Sequence, residues 1–210
     1  MPPIDTSIEM ILFWALAGYI IGSIAFGMLL ARLMGLGNLR DIGSGNIGAT
    51  NVLRTGRKGL AAATLILDGA KGAVAVLLAR HFVPELGDHA AMIAGAAAMI
   101  GHCYPVWLKF RGGKGVATLL GLALALAWPI GLVFAVVWLG TVLLLRISSL
   151  GGMLGAVSAP LAALAFGHQV YAIGLAGLAV IVLWRHRENI ARLAKGEEPR
   201  VGGSKDTAGG

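Results

Sequence analysis

Charge is scarce in this 210-residue chain: Asp, Glu, Lys and Arg make up 13% of it, about half the share of an ordinary soluble domain. Acidic residues are the scarcer kind, 10 against 17 basic, which leaves a formal net charge of +7. Cys103 is the only cysteine, so an internal disulfide, a cysteine-based metal site and a redox pair are all excluded, and a small buried apolar role is the simplest reading. No Lys or Arg precedes the first apolar run; MPPIDTSIEM carries Asp5 and Glu9 instead. The basic start of a secretory signal is therefore missing, and the first run is expected to be retained as a helix. The polar segments offer Asp41, Glu188, Glu197 and Glu198 but no carboxylate cluster, so a magnesium-dependent transferase lacks its ligands and no metal or cofactor is expected.

What the chain has in abundance is apolar sequence, at 57% of residues and a mean hydropathy of +0.81. Apolar runs occupy about Ile8 to Met34, Gly59 to Phe82, Ala90 to Leu108, Val116 to Leu145, Leu150 to Gly167 and Val170 to Trp184. Several reach the roughly 20 residues a helix needs to cross hydrocarbon. The fourth is long enough for one tilted helix or for two short ones parted at Trp128-Pro129. Basic loops decide between them, because Lys and Arg near helix ends collect in the cytoplasm. With two spans there, Arg32, Arg40, Arg54, Arg57 and Lys58 share a side with Lys109, Arg111, Lys114 and Arg146, and with the basic stretch from Arg185 to Lys205. Lys71 lies within a helix, and Arg80 alone falls near the opposite face.

The expected fold is thus an all-α polytopic membrane protein of seven transmembrane helices, N-terminus outside (periplasmic) and C-terminus cytoplasmic. Residues 1–198 form one domain in this reading, and residues 199–210 a disordered tail. From Val116 to Trp128 the fourth helix is too short to cross alone, so the glycine-rich segment before it is expected to dip into the membrane or to start the helix, lining a polar cavity.

On this topology three polar segments meet at the cytoplasmic face. The first, GSGNIGATN from Gly43 to Asn51, has the G-x-G-x-x-G spacing of a dinucleotide fingerprint, with Asp68 about 20 residues on. That match fails, since no strand precedes it and Asp68 sits inside an apolar helix. Its glycines still let successive N–H groups point at one anion, to which Ser44, Thr50, Asn51 and Arg54 add donors and a planar charge. A glycine-rich turn capped by its own Ser and Asn is the alternative. In the second segment, Gly112-Gly113-Lys114-Gly115 departs from a nucleotide P-loop: Leu108 replaces the leading glycine, and Gly115 the magnesium-binding hydroxyl. What remains is a flexible backbone and a cation beside a helix N-terminus, which suits a phosphate without a metal. In the third, His186, Asn189 and Arg192 recur at three-residue spacing and share a helix face, either lining a cavity or lying on acidic lipid. Asp68 and Lys71, an i,i+3 pair inside a helix, read as an internal salt bridge that orients it.

Together the three segments resemble the bacterial acyl-phosphate:glycerol-3-phosphate acyltransferases, the PlsY family. The family's first motif, roughly GSGNxGATNxxR, is matched from Gly43 to Arg54. The second, roughly GHxxPxxxxFxGGKGVAT, is matched from Gly101 to Thr118, and the third, roughly HxxNIxRLxxGxE, from His186 to Glu198. The resemblance implies transfer of a fatty acyl group from acyl phosphate to the 1-hydroxyl of glycerol 3-phosphate, giving 1-acylglycerol 3-phosphate (lysophosphatidic acid) for phospholipid synthesis. It also implies a multi-pass enzyme of the bacterial inner membrane with a cytoplasmic site, no cofactor, no nucleic-acid partner, and a PlsX-type phosphate acyltransferase as donor source and possible contact. Ser44, Arg54, Lys114, His186 and Asn189 become the catalytic candidates. Gly43, Gly45, Asn46, Thr50, Asn51, His102, Gly112, Gly113, Gly115, Arg192 and Glu198 become the substrate-binding candidates. Either His186 or a substrate phosphate takes the proton from the acceptor hydroxyl. A phosphorylated-solute transporter should show paired repeats, of which the sequence has none convincing. A scaffold for anionic lipid leaves the glycines, amides and histidines without a purpose.

Overall fold

The computed structural model describes residues 8–84 and 87–202, and among them every regular element is helical. In chain order these are α1 (Ile8–Gly22), α2 (Phe26–Leu33), α3 (Ala49–Leu53), α4 (Lys58–Phe82), α5 (Gly87–Cys103), α6 (Val116–Leu126), α7 (Trp128–Leu145), α8 (Ser148–Ala165), α9 (Gln169–Arg185) and α10 (Arg187–Ala194). Five stretches are long and apolar enough to cross a bilayer: Ile8–Leu33, Lys58–Phe82, Asp88–Leu108, Trp128–Leu145 and Ser148–Ala165. The α9–α10 pair adds a sixth although it bends by 61°. The extreme N-terminus and residues 203–210 of the expected tail lie outside the described residues.

The first apolar run is not one helix. It breaks after Gly22, where the Ser23 hydroxyl turns back onto the Tyr19 carbonyl at 2.7 Å. Carbonyls freed by the break need donors in a low-dielectric interior. Trp107 Nε1 donates to Ser23 O at 2.9 Å and Lys71 Nζ to Ile24 O at 2.8 Å. The fourth run divides as the basic loops require, between Leu126 and Trp128, with Pro129 in the first turn of α7, where its missing N–H costs nothing.

α6 is the hub. It has 11 residues and packs against α4, α5, α7, α8 and α9, burying Leu119, Leu122, Ala123 and Leu126. It meets α4 so closely that a Cβ on Gly121 would stand 1.9 Å from Gly69 O, the small-residue contact that lets membrane helices touch by backbone. Its C-terminal end is closed by Arg80, whose Nη1 donates to Ala125 O at 2.5 Å and Nη2 to Leu126 O at 2.7 Å; Tyr171 bonds the same guanidinium and Asp88. Its N-terminal end starts deep in the bundle. Thr118 Oγ1 donates to Asp68 O at 2.9 Å, and Asp68 lies ten residues into α4, about 15 Å along it. The segment from Lys109 to Gly115 therefore descends from the end of α5 into the bundle, as its glycines led us to expect.

The described start of the C-terminal segment, residues 199–202, is tied back at Val201, whose N–H donates to Arg146 O at 2.6 Å while Arg146 Nε donates to Val201 O at 3.0 Å.

Candidate active site

The loop before α3 is organised by one amide. Asn51, 1% exposed, donates from Nδ2 to Leu39 O and Ile42 O, both at 2.9 Å. Its Oδ1 accepts from Ser44 N at 3.0 Å. Gly43, at φ +53°, brings the chain round this knot; a Cβ there would meet Asn51 Oδ1 at 2.6 Å and Arg54 Cδ at 2.8 Å. Buried polar groups saturated in this way fix a loop rather than bind a solute. Ser44, Thr50 and Arg54 are left exposed around the knot, with Gly45 and Asn46 half-buried beside them.

The second loop holds its own surprise. Gly112 N–H donates to Cys103 O and Gly113 N–H to His102 O, each at 3.0 Å. The expectation that both amides cradle a phosphate is therefore corrected: they hold the loop against the end of α5. Arg185 secures the other side, with Nε on Gly113 O at 3.0 Å and Nη2 on Gly112 O at 2.8 Å, and its guanidinium lies over the Tyr104 ring at 5.2 Å. The groups of this segment that could serve an anion are the Lys114 ammonium and the first turn of α6, whose N–H groups have no intrahelical partner. Gly115 makes the turn into that helix at φ +86°. His102 lies beneath the loop, 5% exposed.

Lys114 joins the second segment to the third, donating to Asn189 Oδ1. Asn189 in turn donates from Nδ2 to Glu198 Oε1 at 2.5 Å. Glu198 collects two further bonds, from Ser149 Oγ at 2.6 Å and Arg192 Nε at 2.8 Å. Burial acts to raise the Glu198 carboxyl, but these three donors and the Arg192 charge outweigh it, and the group lies below its ordinary value. For Lys114, burial and then nearby Arg192 lower the ammonium to about 8, against the pull of Glu198. His186 follows the end of α9. Burial brings it down to about 4, so the ring is neutral near pH 7. Its Nδ1 lies 2.8 Å from Val182 O, which makes Nδ1 the protonated nitrogen and leaves Nε2 as an acceptor.

Comparison with known proteins bears on what such a site does. The sequence pattern of the family described as "Glycerol-3-phosphate acyltransferase" matches residues 12–196. The chain belongs to the glycerol-3-phosphate acyltransferase family. The Ruegeria sp. (strain TM1040) glycerol-3-phosphate acyltransferase is 57% identical over 202 residues, covering 96% of this chain and 98% of its own. That of Dinoroseobacter shibae is 54% identical over 205 residues, 98% of this chain and all of the relative. Among solved structures, the glycerol 3-phosphate form of PlsY (YgiH), an integral membrane glycerol 3-phosphate acyltransferase, superposes with a TM-score of 0.85 at 38% identity, covering 91% of this chain and 96% of that one. Its lysophosphatidic acid form gives 0.82 at 37% identity, covering 91% and 95%.

Residues outside the three sequence segments join this cluster of contacts in the acyltransferase. Ser148 and Ser149 open α8, and both face the site: the Ser148 hydroxyl is 3.0 Å from that of Thr50, and Ser149 holds Glu198. Arg185, read from sequence as one more cytoplasmic charge, clamps the glycine loop. The available signal was the polar Arg146-Ile147-Ser148-Ser149 turn, which falls on the same face as the three segments. The ring of contacts therefore runs from α3 through α8 and the C-terminal segment to α10 and the Lys114 loop.

Proposed function

We propose that this enzyme transfers a fatty acyl group from acyl phosphate to the 1-hydroxyl of sn-glycerol 3-phosphate, releasing 1-acylglycerol 3-phosphate and inorganic phosphate. The observation that carries the reading is the Lys114–Asn189 contact, which seats a cation at the start of α6 beside a neutral histidine. Two phosphate-bearing substrates need two anion sites, and two glycine-bearing loops with cations face one another here. Lys114 and the first turn of α6 hold the acceptor's phosphate. Ser44, Thr50 and Arg54 hold the acyl phosphate, on a loop that Asn51 keeps in shape, and Arg54 reaches both phosphates.

His186 Nε2 accepts a hydrogen bond from the acceptor hydroxyl and aims its oxygen at the acyl carbon. The new C–O bond forms first, giving a tetrahedral oxyanion that the neighbouring cations stabilise, and the acyl carbon–oxygen bond to phosphate then breaks. Acyl phosphate is already activated and needs no strong base, so a substrate phosphate receives the proton. Asn189, with both ends of its amide engaged, positions Lys114 instead of touching the hydroxyl.

The topology that goes with this chemistry is seven bundle helices, the α1–α2 pair with α4, α5, α6, α7, α8 and α9, N-terminus outside and C-terminus in the cytoplasm of a bacterial inner membrane. A cytoplasmic PlsX-type enzyme supplies the donor. The test reconstitutes the purified protein with labelled glycerol 3-phosphate and either palmitoyl phosphate or palmitoyl-CoA. Lysophosphatidic acid from acyl phosphate alone, abolished by Lys114→Ala, is the expected result. Product from the CoA ester instead overturns the donor, and no product from folded protein overturns the reading.

A further inference from the structure

Beneath the Lys114 loop lies a charged cluster that the chemistry above does not use. Asp68 and Lys71 on α4 are each 3% exposed and His102 on α5 is 5% exposed. Lys71 Nζ stands 2.8 Å from Asp68 Oδ1 and donates to Ile24 O in the break between α1 and α2. His102 Nδ1 faces the same carboxylate oxygen at 3.7 Å. The far side of the ring meets the loop: a Cβ built on Gly113 would fall 2.1 Å from His102 Nε2, and Gly113 N–H is bonded to His102 O. The backbone carbonyl of Asp68 holds Thr118, in the first turn of α6.

Buried ion pairs are costly in a bilayer and stabilise less than apolar packing of the same volume. Helix contacts elsewhere in this bundle are made by glycines, as at Gly121, so orientation of α4 alone does not call for charge. This cluster, by contrast, touches the α1–α2 break, α4, α5, the Gly113 backbone and the start of α6, all at the level of the anion site.

We propose that Asp68, Lys71 and His102 are positioning residues for the acceptor site, a rigid floor that sets where the Gly113–Lys114 backbone sits and hence where Lys114 meets the acceptor's phosphate. The proposal rests on the assignment of that loop to glycerol 3-phosphate. The carboxylate lies opposite the imidazole, beyond hydrogen-bond distance, the ammonium neutralises the carboxylate and ties it to the helix break, and the ring at Nε2 backs the glycine.

The test is steady-state kinetics of the full chain in detergent or proteoliposomes. His102→Gln and the charge-free pair Asp68→Asn with Lys71→Met are each expected to raise KM for glycerol 3-phosphate about tenfold, with KM for acyl phosphate unchanged and thermal unfolding shifted little. The triple combination should be no worse than the worse of the two, because both act through one contact. A steric cycle gives an independent reading: Gly113→Ala alone should raise the same KM by driving a methyl into the ring, and in a His102→Ala background it should add nothing. Unchanged KM values in folded variants, or effects that multiply, overturn the proposal. A shift confined to acyl phosphate keeps the positioning role and overturns the assignment of the loop.

Discussion

An ordinary lysine stays charged to above pH 10, whereas Lys114 is held to about 8 by burial and by Arg192. If its ammonium is what binds the acceptor's phosphate, kcat/KM for glycerol 3-phosphate should fall on the alkaline side with the pKa of the free enzyme. The charged fraction is one half near pH 8 and about a tenth near pH 9, so the limb drops about tenfold per unit beyond that point. kcat should hold to higher pH, because a bound phosphate dianion favours the ammonium. Removing the Arg192 charge by Arg192→Gln should move the limb upward in pH. The assay is initial rate against glycerol 3-phosphate from pH 6 to 10, corrected for spontaneous hydrolysis of the acyl phosphate. A limb near 10.5, or one that Arg192→Gln moves downward, refutes the reasoning. Stability follows with a definite sign. A lysine whose folded pKa is depressed disfavours folding while charged in both states, so stability should rise with pH between about 8 and 10.5. The gain is on the order of 1–2 kcal/mol once solvent screening is allowed for, read as the midpoint of thermal unfolding.

Arg80→Ala should lower the unfolding free energy by roughly 3 kcal/mol, since two carbonyls at the end of α6 lose charged donors in a low-dielectric setting; denaturant titration of the detergent-solubilised protein reads it, and no loss would sink the capping role. Asn51→Ala should cut turnover at least about a hundredfold by releasing the loop that carries Ser44 and Arg54, while Asn51→Asp, which keeps the acceptor and loses the donors, should fall between; turnover near that of the parent from both would show that the knot is dispensable. Ser149→Ala should raise KM for glycerol 3-phosphate several-fold through Glu198 and Asn189, with kcat little changed. Cys103 is buried and should resist a membrane-permeant maleimide until the protein is unfolded, followed by mass spectrometry; rapid labelling of native protein would contradict the packing of Gly115 against it.

Periodicity and length made the helices legible, and Pro129 with the basic loops made the division of the fourth run legible too, because those signals are local. The break at Ser23 was not, since what stabilises it is Trp107 and Lys71, far away in sequence. The three polar segments, expected to meet at one face, are joined in the structure through Lys114–Asn189 and Thr50–Ser148. Which of their groups are free to meet a ligand was hidden: Asn51 spends its amide on the loop, and the Gly112 and Gly113 amides are taken by α5. Ser148 and Ser149 escaped notice for a related reason. Two serines after an apolar run look like a turn, and only the fold brings them to Thr50 and Glu198. Composition also cannot register the backbone pairing of Val201 with Arg146.

The short central helix also bears on how the protein is made. An 11-residue segment has no stable place of its own in a bilayer, and its seat is walled partly by α8 and α9, which leave the ribosome after it. Its main partner α4 is made before it, so α6 can seat on α4 while α8 and α9 close over it later. Lys114 reaches its partner Asn189 only at the end of synthesis, so a chain stalled after α8 lacks the link between the Lys114 loop and α10. Catalytic competence in this enzyme is a property of the finished bundle.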